Sequence, residues 1–354
     1  MSEQINRVEL LKRLVMAKPA VSTQNYIPIL SHFMFDGDSV TAYNDITAIT
    51  VPCGVYGFQG CLPAELLIKT LNSMTAETFS IMRHDGYALI SSGKSKIKIP
   101  VLQSADFPFS FGKVSTKITG AFQLNKERLK GLQKCLINVG TDSAHPAAMG
   151  VTLDPFYSDT EAALYSTDNV TISRFVYETD DDQHDPLIMP SFFCNQLVVL
   201  ANGSDVSVEI HAGALLAVFA DGAMLFTKTI PDLEPMNFAN VIKKYLGTKV
   251  VNTYDIPKEF NQSVERALLV QSSEGFKSTS VTVEDNKLFL ETISKSGEAR
   301  DEMSYSGEDV KFKIDPSRVK RILPITSRIS LLPDVLLLTD DNQDFIHLIA
   351  HCSS

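Results

Sequence analysis

The sequence predicts an α+β protein of three tandem domains of like design, each with antiparallel sheets and two helices gathered on one side. Three observations carry this. Gly60-Cys61-Leu62-Pro63-Ala64-Glu65-Leu66-Leu67, Leu187-Ile188-Met189-Pro190-Ser191-Phe192-Phe193 and Lys313-Ile314-Asp315-Pro316-Ser317-Arg318-Val319 all read as an extended stretch entering a helix through proline, with the prolines 127 and 126 residues apart. A separate marker, Asp106-Phe107-Pro108 against Leu233-Glu234-Pro235, repeats with 127 residues between its prolines. The same order of helix, strands, helix, strands also runs through the chain three times, as expected where helices cover one face of a sheet. The predicted domains are 1–119, 120–248 and 249–354.

Each domain opens on a helical pattern, at about 6–18, 125–135 and 257–269, the first with a capping-box-like Asn6 and Glu9 pair. The second helices, 63–74, 190–202 and 316–326, start at the prolines, whose missing N–H would be unpaired at a first turn in any case. Between the two helices lie alternating runs: His32–Asp36 with Val40–Tyr43, Gly150–Leu153 with Ala162–Tyr165, and Ser280–Val283 with Lys287–Glu291. After the second helix come Phe79–Arg83, Ala88–Ser91 and Lys96–Val101; then Val206–Ile210, Leu215–Phe219 and Met224–Lys228; then Ile329–Leu332, Val335–Thr339 and Phe345–Ala350.

A length of 354 residues exceeds what one core usually serves, and 44% apolar with 21% charged residues is an ordinary soluble composition. No apolar run approaches the roughly 18 residues of a membrane span, and the polar start lacks a signal-peptide pattern, so a cytoplasmic location is expected. Five cysteines (Cys53, Cys61, Cys135, Cys194, Cys352) with no C-x-x-C pair point to core packing rather than to disulfides or zinc.

A net charge of −10 argues against a nucleic-acid partner until its distribution is considered. The six helical segments hold 14 Lys and Arg against 5 Glu and no Asp, a charge of +9 that leaves −19 elsewhere. Lys126, Lys130 and Lys134 form one stripe at i, i+4, i+8, away from Leu129, Leu132 and Leu136; Lys12, Arg13, Lys69, Lys320 and Arg321 occupy outward positions on other helices. Surface lysines are ordinarily just solvated, but acids kept off repeated helices in an acidic chain fit a surface that faces phosphates. No aromatic residues interleave them, so contact is expected to ignore base sequence.

Several stretches then resemble one family over the whole chain, the bacterial and phage β sliding clamp, the processivity subunit of replicative DNA polymerase. Pro28-Ile29-Leu30-Ser31, Tyr43-Asn44-Asp45-Ile46-Thr47 and Ser92-Gly93-Lys94-Ser95-Lys96-Ile97 running into Ala105-Asp106-Phe107-Pro108 are similar to its first-domain motifs. Tyr165-Ser166-Thr167-Asp168 and the Leu233-to-Val241 segment are similar to its second, and Val264–Phe276 with Tyr305-Ser306-Gly307 to its third. The resemblance implies a head-to-tail homodimeric ring with helices inside and sheets outside, no catalysis and no cofactor, and as partners double-stranded DNA, a DNA polymerase, a clamp loader and a second copy of the chain. It implies a dimer interface with Phe107 and Phe109 on one side and Leu269 and Val270 on the other. It also implies one peptide pocket per chain at Thr167, Asn169, Val170, Ile172, Pro235, Val241, Leu348 and Ile349. Asn169-Val170-Thr171 stands where the family usually has Gly-His-Arg, and the tail His351-Cys352-Ser353-Ser354 departs from the family's usual ending. Both departures suit a phage-encoded member.

Other chemistry finds little support. Gly93-Lys94-Ser95 lacks the earlier glycine of a phosphate-binding loop, Ala88 standing in its place. Asp180-Asp181-Asp182 with His184 and Asp185 reads as a solvated loop. His347 and His351, four apart on a strand, sit about 13 Å from each other, too far to share a metal.

Overall fold

The computed structural model of the chain describes residues 4–24, 26–114, 117–179, 184–230, 233–246, 251–271 and 278–352. The first repeat runs β1 (Ile5–Asn6), α1 (Arg7–Ala17), β2 (His32–Asp36), β3 (Ser39–Tyr43), β4 (Thr47–Pro52), β5 (Gln59–Pro63), α2 (Ala64–Ser73), β6 (Thr78–Arg83), β7 (Tyr87–Ser92) and β8 (Ser95–Pro100). The second runs β9 (Ile118–Leu124), α3 (Lys126–Leu136), β10 (Gly150–Asp154), β11 (Glu161–Thr167), β12 (Thr171–Glu178), β13 (Leu187–Pro190), α4 (Ser191–Ala201), β14 (Val206–His211), β15 (Ala214–Phe219) and β16 (Met224–Lys228). An unanticipated helix, α5 (Phe238–Leu246), leads to the third: β17 (Tyr254–Asp255), α6 (Phe260–Val270), β18 (Thr279–Glu284), β19 (Lys287–Ser294), β20 (Gly297–Ser304), β21 (Val310–Ile314), α7 (Pro316–Ile322), β22 (Arg328–Leu331), β23 (Val335–Thr339) and β24 (Phe345–Ala350). No described helix is long and apolar enough to cross a membrane.

Local chemistry explains the helix starts. The Asn6 side chain accepts the Glu9 N–H at 3.0 Å, and Asp315 accepts from the Ser317 N–H at 2.9 Å one residue into the Pro316 turn. α1 then buries Leu10, Leu14 and Ala17 on one face. Gly131 in the middle of α3 has a packing cause: a Cβ there would meet Cδ1 of Phe175 at 2.0 Å, so the ring of β12 lies directly on the helix backbone.

Two compact units result, residues 1–126 with 195–231 and residues 127–194 with 232–354. The second repeat contributes to both. The first unit holds an eight-stranded antiparallel sheet ordered β5-β2-β3-β4-β16-β15-β14-β9 and a four-stranded sheet β1-β6-β7-β8. The second holds β13-β10-β11-β12-β24-β23-β22-β17 and β20-β19-β18-β21. Each large sheet is therefore two half-sheets from successive repeats joined edge to edge: β4 to β16 with Thr50 facing Met224, and β12 to β24 with Arg174 facing Ile346.

An aromatic from the following connector seals the outer face of each junction. Phe109 lies on Tyr43 in the first unit, ring centroids 4.8 Å apart, and Phe238 stacks on Tyr165 in the second at 5.1 Å. Around them gather Leu30, Ala48, Phe107 and Phe226 in one case, and Ile242, Leu337, Ile346 and Leu348 in the other.

On the opposite face of β24, His347 is 2% exposed and its Nδ1 lies 2.8 Å from the Ser173 hydroxyl. His351 falls beyond the strand and stacks on Phe312, so the two imidazoles part company. Burial pushes the His347 pKa down from 6.5 to about 3. Between those values the unfolded chain binds the extra proton, so this group's contribution to stability is lost as pH falls from 6.5 toward 3. Replacing His347→Gln is expected to shrink the drop in urea-unfolding midpoint between about pH 7 and about pH 4.5. An identical drop in both chains contradicts a buried neutral imidazole.

Candidate nucleic-acid interface and partner pocket

The basic helical residues divide by their neighbours. Lys126 and Lys130 are exposed on α3 and have no ion-pair partner among the described residues. Lys12, Lys69 and Lys320 are also exposed, in solvent-facing pairs with Glu9 (3.7 Å), Glu65 (2.6 Å) and Glu265 (3.1 Å) respectively. Such surface pairs are worth about 0–1 kcal/mol and yield readily to a phosphate. Arg13 is tied down, its guanidinium bonded to Asp221 at 3.0 Å and to Glu9 at 3.3 Å.

Two members of the expected set pair with acids of other elements. Lys134 is half-buried, 2.6 Å from Asp340 and over the Phe345 ring at 5.3 Å. It shares the period of Lys126 and Lys130, but one turn further on the helix meets the β23–β24 hairpin, whose carboxylate claims it. Arg321 is exposed yet directed at Asp168, 3.3 Å away.

Of the expected pocket residues, Ile172 and Leu348 are cross-strand partners on the face that α5 covers. Val241 on α5 and Pro235 just before it are half-buried. Ile349 faces the other side of the strand from Leu348, with its partner Thr171, because successive strand residues point to opposite sides. Thr167 is buried and donates its hydroxyl to the Thr171 carbonyl at 2.6 Å. Val170 is 41% exposed at the tip of the turn.

Asn169 adopts φ +70°, in the left-handed region where asparagine is tolerated next best to glycine. Asp168 organises this turn: its Oδ1 accepts the N–H groups of Val170 (3.2 Å) and Thr171 (2.9 Å), while Oδ2 receives Arg318 and Arg321 from α7. Burial works to raise the Asp168 pKa, but the Thr171 N–H and hydroxyl and the Arg318 charge outweigh it and hold the carboxyl below its usual range.

Sequence reasoning missed both arginines as pocket neighbours, since their proximity to Asp168 is not local in the chain. It also missed α5, although Phe238, Val241, Ile242, Tyr245 and Leu246 have helical spacing.

The expected interface residues also separate. Phe107 and Phe109 are 6% and 8% exposed, their rings already used over the β4–β16 junction, so neither offers appreciable surface to a partner. Leu269 on α6 is 80% exposed, and Val270 is half-buried with its carbonyl accepting the Ser294 hydroxyl. Asp180, Asp181 and Asp182 lie outside the described residues.

No family model matches the chain, and no curated protein does. Solved structures do match over its full length. A sliding clamp, DNA polymerase III subunit beta, from Bartonella birtlesii bound to griselimycin is 19% identical, with 100% of each chain covered and a TM-score of 0.88. A DNA polymerase III beta subunit from Eubacterium rectale is 18% identical, covers 99% of each chain and has a TM-score of 0.85. The sliding clamp from Bacillus subtilis is 17% identical over 99% of this chain and 98% of its own, at 0.84. At these identities the likeness is one of fold, and the fold of this chain is that of the DNA polymerase III beta sliding clamp.

Proposed function

We propose that this chain is a DNA sliding clamp: a head-to-tail homodimeric ring of six like domains that encircles duplex DNA without reading its sequence and tethers a replicative polymerase. It works by topology and charge rather than by catalysis. A clamp loader opens it onto DNA, polymerase and loader peptides dock at Ile172, Leu348 and α5, and it acts in the cytoplasm. The chain divides as domains 1–119, 120–248 and 249–354.

The observation that carries this is the pair of half-sheets that end on unmatched strands. β8 and β20 each have one neighbour among the described residues. β20 occupies in its repeat the place of β4 and β12, and β8 that of β16 and β24, so β20 of one copy and β8 of another are the remaining junction of the same kind. Carrying the register across, position for position from the Thr50–Met224 and Arg174–Ile346 pairs, sets Arg300 opposite Lys96, Glu298 opposite Lys98 and Glu302 opposite Lys94.

The charges suit it. The three lysines are exposed, whereas Arg300 already lies against Glu291 (2.7 Å) and Glu298, which leaves that strand face net acidic. Opposite charges directly across strands stabilise a pairing and set its register. A join between unlike surfaces closes into a ring only when its rotation closes.

Exposed Lys12, Lys69, Lys126, Lys130 and Lys320 are the residues placed to meet phosphates. The −19 carried outside the helical segments discourages nucleic acid elsewhere.

Three outcomes are expected. Under oxidising conditions Lys98→Cys with Glu298→Cys gives a covalent dimer, whereas Lys98→Cys with Ala299→Cys does not, because residue 299 faces the other side of the strand; a chain that stays monomeric by light scattering refutes the seam. Clamp loaded onto a nicked circle stays until the circle is linearised and then slides off, and equal retention on both forms sinks the ring. Reversal of Lys126 and Lys130 to Glu lowers loading by roughly tenfold or more at physiological salt, through lost phosphate contacts, without changing dimer mass. Unchanged loading argues against these lysines facing DNA.

A further inference from the structure

We infer that the charge of Asp168 is a positioning device, locking the lip of the partner pocket, residues 168–171, to α7 so that the site is formed before any peptide arrives. The inference rests on the pocket reading above and adds to it a residue that need not touch the peptide.

The chain supplies its own control. The first repeat has a turn of the same construction: Asn44 Oδ1 accepts the N–H groups of Ile46 (3.1 Å) and Thr47 (2.8 Å), and Asp45 follows at φ +79°. Asp168 does the same for Val170 and Thr171, with Asn169 following at φ +70°. An amide oxygen is therefore enough to shape the turn; the first repeat carries its carboxylate one residue later, on Asp45 beside Lys228, and the second places the charge on the shaping residue itself. That charge has two cationic partners, Arg318 and Arg321, both on α7 of the third repeat. Asp168 is 15% exposed and Arg318 23%, so solvent screens the pair only partly. Asp315, the cap of α7, lies 3.6 Å from Arg318 Nε and steadies the guanidinium from its other side.

The lip is joined to the pocket floor as well. The Val170 carbonyl accepts the Ala350 N–H at 3.2 Å, two residues beyond Leu348. Holding the turn against α7 thereby fixes exposed Val170 relative to Ile172 and Leu348. A preformed lip spares the ligand the ordering that binding would otherwise require.

The test compares wild type with Asp168→Asn, which keeps an oxygen for the turn and loses the charge. Griselimycin, the ligand of the Bartonella relative, serves as the probe in calorimetry, beside hydrogen exchange at the Val170, Thr171 and Ala350 amides. Asp168→Asn is expected to weaken griselimycin about tenfold and to speed exchange at the Val170 and Ala350 amides, with dimer mass and thermal midpoint near wild type. Arg318→Met should weaken it comparably, and combining the two should add little, since both remove one lock. Additive losses indicate independent structural effects and overturn the inference. So does Asp168→Asn with wild-type affinity and exchange. If wild type itself fails to bind griselimycin, the pocket reading is what fails. Exchange then decides the lock alone: faster exchange upholds it, and unchanged exchange overturns it.

Discussion

The main-chain N–H and C=O groups along an outermost strand have to be satisfied, and in this chain two half-sheets meet that requirement by pairing with a strand of the next repeat. β4 and β12 meet it by pairing with β16 and β24 from the next repeat. The rest of the architecture follows from those two ladders. They divide the second repeat between two compact units, and they create the outer faces that the connectors must cover. They also fix where Tyr43 and Tyr165 lie for Phe109 and Phe238 to settle on. The pocket proposed beside the second junction thus rests on how repeats are joined, because Ile172 and Leu348 pair there.

What the sequence revealed follows the distinction between local and distant causes. Helix starts at Asn6 and Pro316, and strands such as Val335–Thr339, are governed by capping, proline and alternation within a few residues, and they read directly. The strands β4, β12 and β20 did not. Residues 47–51 of β4 are all buried, so alternation vanishes, while β20 reads Gly-Glu-Ala-Arg-Asp-Glu-Met-Ser and buries Met303 alone. Their identity depends on a partner more than a hundred residues away or on another chain. The opposite failure occurred at α5, where a clear helical period was present in a segment taken only as a family motif.

Charge shows the same limit. Lys126, Lys130 and Lys134 are indistinguishable by period, yet Asp340 withdraws the last of them into an ion pair. Phe107 and Phe109, which the resemblance assigned to an interface, are used inside their own unit. Asp168 and Asn44 reverse the lesson: two turns with the same hydrogen-bond pattern carry their carboxylate at different positions, and only the neighbours brought by folding give that difference a meaning.

The unequal ends of the chain have a consequence for how it must be made in a cell. One end presents a lysine-rich strand edge and the other an acidic one, and neither has an intrinsic stop. On the proposed seam, copies meeting in this way have two fates, a closed circle or an endless filament, and closure of the rotation decides between them. On that reading, a substitution that spoils closure, even far from either edge and harmless to folding, would favour filaments over circles.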